Sequence, residues 1–464
     1  MKTRLLQLLH KYSFNLIGAA LLLSWLSLYN GYPILYPDSA TYIKSGFAFE
    51  TPPDRPITYS IFILISSFYK VSLFLTVFAQ NLILAWLLLE VFIKCLRPTA
   101  LPFFLALIAV LSACTGISWV SNQIFADVFT SFIFLSAFLI ITYPEANRKK
   151  FYLLLFIFLL SVASHLSHIS ISILFLLILL PSALLILPGA QELKGLLILK
   201  RIALLICITT AAVLSMSSAL SKSTPVFFTG KLCENGILKK YLEENCEKTP
   251  YRLCAFTNEL TCPATDFVWA KTGATNKLGG WNAVRTEYAA IDSRIMHNPK
   301  YLKLFAKESV KITLAQCCMN AIGEANSIIK NNENVLTTQQ KYFGKEESLF
   351  KHSHQYNEDL SYSRFNAVYS FFIGISLLAF LLFIIRKIFR KEYDPLSFFC
   401  LLVLTGIASN NMLGASLANA TNRFGLRVIW MLTFCVLLMG LEIIIATRVK
   451  PIPTPKRGRS PSAV

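Results

Sequence analysis

Two acidic residues stand at the boundaries of apolar segments. Asp38 follows the first apolar run, in Tyr36-Pro37-Asp38-Ser39-Ala40-Thr41-Tyr42-Ile43-Lys44, and Asp127 directly precedes a later one. Placing a charged side chain beside the hydrocarbon of a membrane costs free energy, so such a residue usually has a structural or functional role. Asp38 or Ser39 could simply cap a short interfacial helix. Asp127 could simply interact favourably with the dipole at the N-terminus of a helix. Alternatively, two carboxylates at one membrane face could supply a general base or bind a cation beside a phosphate.

Three arginines lie at similar boundaries. Arg423 and Arg427 are four residues apart and share a face if that segment is helical. Paired guanidinium groups suit phosphate, although such residues also extend to lipid headgroups. Arg55, in Asp54-Arg55-Pro56, precedes another apolar stretch and could be an interfacial anchor or a phosphate contact.

Two histidines interrupt the apolar stretch over 151–188. His165 and His168 read as hydrogen-bonded surface residues at an outer turn, and both could also reach a substrate pyrophosphate. Two histidines alone are a weak metal signal. The metal content is therefore left open, with Mg²⁺ or Mn²⁺ as the divalent cation to consider.

The composition indicates an all-α polytopic membrane protein. Hydrophobic residues make up 55% of the chain, charged residues 15%, and mean hydropathy is +0.56. A backbone in lipid must satisfy its own hydrogen bonds, which favours helices. Apolar runs of about 20 residues can cross the bilayer. We predict about ten transmembrane helices, near 14–34, 71–93, 99–117, 127–142, 151–164, 169–188, 202–220, 366–385, 396–414 and 425–447. The first is expected to be an uncleaved anchor that Pro37 interrupts.

Basic residues predict the orientation. If the chain alternates from a cytoplasmic N-terminus, 20 Lys and Arg fall on the inner side and five near the short outer loops. This asymmetry predicts N-in/C-in topology with an even number of spans. The net charge of +19 needs no nucleic acid, because its basic residues are dispersed over separate loops.

A polar segment over 222–365, between spans seven and eight, is predicted to form a mostly helical extracytoplasmic cap. Amphipathic helices are expected over 281–298 and 299–322, separated at Asn298-Pro299. An even set of cysteines on an oxidising side indicates at least one disulfide, with zinc as the weaker alternative because no C-x-x-C pair occurs. The six candidates are Cys233, Cys246, Cys254, Cys262, Cys317 and Cys318.

The predicted organisation has four parts. Residues 1–221 form an N-terminal membrane domain with its first outer loop at 35–56, and residues 222–365 form the cap. Residues 366–447 supply three further membrane helices, and residues 448–464 form a basic, disordered cytoplasmic tail.

This layout resembles the GT-C superfamily of membrane glycosyltransferases, which includes the protein mannosyltransferase and lipid A aminoarabinose transferase families. The resemblance covers roughly residues 10–220, with a looser match in the last spans. It rests on Asp38 followed by Ser39, Tyr42 and Ile43, on Arg55-Pro56 before a short apolar helix, and on Asp127 opening the fourth span. Two features depart from the family: Ser39 follows Asp38 where many members have a second acid, and the large polar part is not C-terminal.

The resemblance implies a glycosyltransferase that moves a sugar from a polyprenyl-phosphate-linked donor to an envelope glycan or lipid. It implies Asp38 as base and Asp127 as a second acid. Substrate contacts would come from Tyr42, Lys44, Arg55, His165, His168, Arg423 and Arg427. The expected location is a bacterial inner membrane, with the site on the periplasmic face. The alternatives are a flippase, transporter or polymerase of lipid-linked glycans, and a non-catalytic envelope assembly protein.

Overall fold

The computed structural model describes residues 2–52, 54–143, 148–186, 192–324, 326–390, 394–417 and 419–448. Within these ranges the chain is helical, and its one β-type pairing is an isolated parallel bridge between Ile34 and Gln123. Of the predicted disordered tail over 448–464, Arg448 is the last residue of a helix, and residues 449–464 lie outside the described residues.

The first part of the chain forms eleven α-helices: α1 (Lys2–Leu23), α2 (Trp25–Asn30), α3 (Ser39–Ala48), α4 (Thr58–Ser66), α5 (Leu73–Cys95), α6 (Phe104–Cys114), α7 (Ile117–Ser121), α8 (Val128–Ile141), α9 (Arg148–Val162), α10 (Leu166–Ile186) and α11 (Glu192–Ser215). A short 3₁₀ helix, Pro98–Phe103, precedes α6.

The remainder forms twelve more: α12 (Ser217–Glu234), α13 (Ile237–Asn245), α14 (Ala264–Trp269), α15 (Ala274–Lys277), α16 (Trp281–Met296), α17 (Pro299–Cys318), α18 (Glu333–Phe343), α19 (Glu347–Lys351), α20 (His354–Asn357), α21 (Tyr362–Arg390), α22 (Pro395–Leu417) and α23 (Asn422–Arg448). Further 3₁₀ turns span Arg252–Glu259, Asn326–Asn331 and Gly344–Glu346.

Six of the described helices are long and apolar enough to cross a membrane. Their apolar stretches are Lys11–Asn30, Leu73–Cys95, Gly195–Ser215, Tyr362–Lys387, Pro395–Gly414 and Asn422–Ile445. Three shorter apolar helices lie over Pro98–Cys114, Val128–Ile141 and Leu166–Pro181. The membrane class is therefore supported, while the count of ten and the N-in/C-in orientation stay predictions.

The first apolar helix ends earlier than its sequence predicts. Asn30 closes α2, and Gly31 takes the left-handed conformation (φ +80°) that commonly terminates helices. Pro37 lies six residues later, in the turn before α3. Gly31, rather than Pro37, therefore ends this helix.

Buried apolar side chains form two cores. The larger joins the apolar helices, and it also takes in Ile329, Val335 and Phe350 from the polar segment. A smaller core binds α12, α13, α14 and α16 through residues such as Phe267 and Tyr288. The predicted segment 222–365 therefore contributes to both cores. As predicted, α16 and α17 are separate helices, because Pro299 occupies a first-turn position where its missing N–H is not needed.

Backbone pairing holds the segment between α2 and α3 against the segment between α7 and α8. Ile34 N donates to Asn122 O (3.0 Å), and Ile124 N donates to Ile34 O (2.9 Å). Ser39 Oγ donates to Ile124 O (2.7 Å) at the beginning of α3. These contacts bring residues 34–39 next to residues 122–127.

Close packing of α3 on α4 positions the next part of the loop. A Cβ added at Gly46 would lie 2.3 Å from the Ser60 carbonyl oxygen, so only glycine permits this approach. Since Asp38 immediately precedes α3 and Arg55 lies shortly before α4, this helix pair sets the distance between those two side chains.

Candidate functional site

Asp38 and Arg55 meet at the paired starts of α3 and α4. Arg55 Nη2 lies 3.2 Å from Asp38 Oδ1, and Arg55 Nε donates to Asp54 Oδ2 at 2.9 Å. The same guanidinium lies over the ring of Tyr42, 5.0 Å from its centroid. Asp38 occupies the position before α3, but its side chain makes no capping hydrogen bond. The explanation of Asp38 as a simple helix cap is therefore wrong.

Asp127 meets the two arginines of α23. Its Oδ1 accepts a hydrogen bond from Arg427 Nη1 (2.9 Å), and its Oδ2 lies 3.2 Å from Arg423 Nε. Asp127 also makes no side-chain cap, although it directly precedes α8. Arg427 additionally donates from Nε to Asn410 Oδ1 on α22 (2.8 Å).

Arg423 connects the two acids. Its Nη1 lies 3.9 Å from Asp38 Oδ2, while its Nε faces Asp127. Its guanidinium also packs on the rings of Tyr36 and Phe125, at 5.0 and 4.6 Å from their centroids. We call Asp38, Arg55, Asp127, Arg423 and Arg427 the ion cluster.

Burial divides the ion cluster into two parts. The side chains of Asp127 and Arg427 are each 1% exposed, whereas that of Asp38 is 33% exposed. Arg427 therefore does not extend to lipid headgroups, and the snorkelling explanation is wrong for it. Breaking a fully buried ion pair on one side typically costs about 3–5 kcal/mol, so Asp127 anchors the arginines. Asp38 is the accessible carboxylate.

Two buried donors beside Asp38 lack an acceptor. Arg55 Nη1 and the Tyr42 hydroxyl have no hydrogen-bond partner among the residues that the structure describes. Arg55 is 8% exposed and Tyr42 is fully buried. Buried polar groups are normally paired, and exceptions call for an explanation. An oxygen-rich ligand could satisfy both donors.

A small pocket adjoins the other side of Arg423. Its wall includes Tyr36, Trp119, Gln123, Asp127 and Glu324. Glu324 Oε2 accepts a hydrogen bond from the backbone N–H of Arg423, in the first turn of α23 (2.8 Å). Sequence reasoning missed Glu324, because no local pattern marks it and it lies 99 residues from its partner.

Residues 319–324, which we call the strap, carry Glu324 to this position. Ala321 N donates to Asn422 Oδ1 (3.0 Å), and Ile322 N donates to Asn366 Oδ1 (2.7 Å). Gly323 has φ +102°, and a Cβ there would lie 2.7 Å from the Tyr362 ring. The strap is thus fixed by side chains of α21 and α23.

The remaining predicted substrate contacts lie outside the ion cluster. Lys44 is exposed on α3. His168 is fully buried, so the surface assignment is wrong for it. Its Nδ1 donates to Ser161 O (2.8 Å), which leaves Nε2 to accept from the Thr130 hydroxyl (2.8 Å). Both ring nitrogens are thereby used. His165 Nδ1 contacts Ser167, and its ring lies 6.3 Å from that of Phe125.

The prediction of at least one disulfide among the six cysteines is confirmed. Cys246 and Cys254 form a disulfide. Cys233 and Cys262 lie with their sulfurs 3.9 Å apart. Cys317 and Cys318 are exposed at the end of α17.

The ion cluster does not fit a divalent cation. Guanidinium groups already lie within 4 Å of both oxygens of Asp38 and of Asp127. Over the described ranges, no three His, Cys, Asp or Glu side chains group as metal ligands. Negative ligand oxygens surrounded by fixed cations make a poor Mg²⁺ or Mn²⁺ site.

No protein family model, no curated protein and no solved structure matches this chain.

Proposed function

We propose that this chain is a membrane glycosyltransferase that takes its sugar from a polyprenyl-phosphate-linked donor. The observation that carries the proposal is the placement of an accessible carboxylate, Asp38, beside the unpaired donors of Arg55 and Tyr42. A carboxylate can accept a proton from an acceptor hydroxyl, and a guanidinium can bind the phosphate that leaves.

In the proposed reaction, Asp38 removes the proton of the acceptor hydroxyl. The acceptor oxygen bonds to the anomeric carbon of the sugar as the bond from that carbon to the phosphate oxygen breaks. The electron pair of the broken bond stays with polyprenyl phosphate, which leaves as an anion. No metal takes part in any of these steps.

Arg55 and Arg423 are the phosphate ligands in this proposal. Both approach Asp38 within 4 Å, so a phosphate bound there would lie beside the base. Arg55 Nη1 and the Tyr42 hydroxyl are its free donors. Fixed donors aimed at developing negative charge stabilise a transition state without reorganising.

Asp127 and Arg427 are positioning residues. Their direct pair is buried, and Asp127 also faces Arg423. Asp127 therefore holds Arg423 at the edge of the site, where that arginine can reach both Asp38 and a substrate phosphate. The layout resembling the GT-C superfamily adds support. The proposal places these residues on the outer face of a bacterial inner membrane.

The test uses the full-length protein in detergent micelles with polyprenyl-phosphate-linked hexose, pentose and aminopentose donors carrying labelled sugars. Envelope lipid and glycan fractions serve as acceptors. We expect release of polyprenyl phosphate together with labelled product. Asp38→Asn should lower the rate about 100-fold or more, because it removes the base.

Asp359→Asn is the matched control, since Asp359 is an exposed acid that pairs with His354. It should keep full activity. A folded Asp38→Asn protein with unchanged activity would refute the proposed role of Asp38. Transport of the labelled lipid across proteoliposomes without sugar transfer would instead favour the flippase alternative, and neither activity would favour an assembly role.

A further inference from the structure

The polar segment holds a second pair of neighbouring cysteines besides the Cys246–Cys254 disulfide. Cys233 lies in the last turn of α12, and Cys262 lies in the loop that leads to α14. Their sulfur atoms are 3.9 Å apart, about 2 Å more than a disulfide bond. We infer that Cys233 and Cys262 form a second disulfide, which joins the end of α12 to the start of α14.

The neighbouring contacts already fix these two positions. Glu234, next to Cys233, accepts a hydrogen bond at Oε2 from the backbone N–H of Ala264 (3.1 Å), two residues beyond Cys262. Glu234 Oε1 also binds the buried Lys231 (2.9 Å). A Cβ added at Gly230 would lie 2.9 Å from a methyl group of Val268 on α14. These contacts hold the end of α12 close to the start of α14 before any bond between the sulfurs forms.

The environments of the two thiols differ, and this difference determines which thiol reacts first when the disulfide forms. Cys233 is buried, whereas Cys262 is partly exposed. Burial raises the pKa of the Cys233 thiol, which keeps it protonated until a partner approaches. Cys262 is therefore the sulfur that an external reagent reaches first.

The oxidant is a disulfide, either a small one such as oxidised glutathione or that of a thiol oxidoreductase. The Cys262 thiolate attacks this disulfide, forming a mixed disulfide and releasing one thiol. Cys233 then gives up its proton and attacks the Cys262 sulfur, which releases the second thiol. The two protein thiols lose two electrons in total, and the external disulfide gains them.

This bond closes a long loop. Cys233 and Cys262 are 29 positions apart, whereas the known disulfide spans eight and lies inside that loop. Cross-links over longer loops restrict the unfolded chain more. Local opening of α12 from α14 should become about 30-fold rarer or more once the bond forms. The inference does not depend on the proposed transferase activity.

The test treats the purified full-length protein in micelles with a buffer of oxidised and reduced glutathione. Remaining thiols are trapped by acid quenching and alkylated after denaturation. Trypsin combined with a glutamate-specific protease cleaves at Glu259, which separates Cys254 from Cys262. Mass spectrometry should find the Cys233 peptide joined to the Cys262 peptide.

Two variants control the experiment. Cys262→Ser should leave Cys233 alkylated while Cys246–Cys254 stays intact, and Cys317→Ser should not change the pairing. Oxidised wild-type protein should also resist limited proteolysis between α12 and α14 better than the Cys233→Ser/Cys262→Ser protein. Alkylated Cys233 in the oxidised wild type, or its linkage to any other cysteine, would overturn the inference.

Discussion

Asp38 and Asp127 have the same chemistry, but their surroundings give them different roles. Asp127 faces both Arg423 and Arg427, so its charge is paired although its side chain is only 1% exposed. Asp38 keeps one third of its side chain exposed, with Arg55 beside one carboxylate oxygen and Arg423 beside the other. A buried charge without a partner is strongly destabilising, which explains why the deeper acid has the closer pair.

The hydroxyl oxygen of Tyr42 is one atom whose removal should affect activity without lowering stability. Its hydroxyl is buried and unpaired among the described residues, so Tyr42→Phe removes no internal hydrogen bond. We expect the thermal unfolding midpoint to stay the same or rise. Release of polyprenyl phosphate should fall roughly 10-fold, because a hydrogen bond to a charged group contributes about 1.5–3 kcal/mol.

Tyr369→Phe is the matched control. The Tyr369 hydroxyl is also buried without a partner among the described residues, but it lies on α21, which carries none of the ion cluster. Tyr369→Phe should leave the transfer rate unchanged. An equal loss of activity in both variants would contradict a substrate contact for Tyr42.

At the scale of elements, α23 brings the polar segment and the site together. Its first turn carries Arg423 and binds Glu324 of the strap, and the next turn carries Arg427. Between the two arginines, Gly425 allows the strap backbone to approach. A Cβ at this position would lie 2.0 Å from the Met319 carbonyl oxygen.

We expect Gly425→Ala to displace the strap from α23 and to lower stability by about 1–3 kcal/mol, as overpacking typically does. The transfer rate should fall with it, since Glu324 would lose its bond to Arg423. Gly440→Ala, on the same helix but with no described atom from a packed neighbour within 4 Å of the added Cβ, should be neutral or stabilising. Thermal unfolding of both proteins in the same detergent tests this, and equal midpoints would contradict the strap contact.

The packing of α12 against α16 predicts a pH dependence. Asp292 on α16 is 8% exposed and accepts a hydrogen bond from the Thr229 hydroxyl (2.8 Å). Burial raises the pKa of Asp292 to about 8 from its ordinary 3.8. The folded state therefore holds the proton that the unfolded chain releases, so this contribution to stability is complete below about pH 4 and is lost as the pH rises to about 8.

Asp292→Asn should remove this dependence, because an amide keeps the bond from Thr229 and does not titrate. The measurement compares thermal midpoints of the wild type and the variant at pH 5 and pH 8. The wild-type midpoint should drop more between these two values than that of the variant. Parallel curves would show that Asp292 is not protonated in the folded protein.

For the whole molecule, the predicted orientation in the membrane rests on the distribution of basic residues rather than on packing. The basic residues predict that the C-terminus is cytoplasmic and that the polar segment lies outside. Alkaline phosphatase, which needs disulfides to be active, should therefore be active when fused after Gly344 and inactive when fused after Arg448. Equal activity of the two fusions would contradict the predicted topology, with protein level measured by immunoblotting as the control.

Local composition was sufficient for the features that depend on local free energy. The apolar runs indicated membrane helices because transfer free energy sums over neighbouring residues, and Pro299 marked the boundary between α16 and α17 through its missing N–H. The exact end of the first helix was misplaced, because Gly31 supplied a left-handed cap before Pro37 was reached.

The tertiary structure alone decided which side chains meet. Asp127 and Arg427 are 300 positions apart, and neither their direct contact nor the place of Glu324 leaves a local pattern in the sequence. The structure also distinguished two buried side chains. Both ring nitrogens of His168 are hydrogen-bonded, whereas the Tyr42 hydroxyl has no partner among the described residues. The residue types thus suggested acid–base and phosphate-binding chemistry. Packing determined which of the acidic, basic and hydroxyl side chains remain accessible to a substrate.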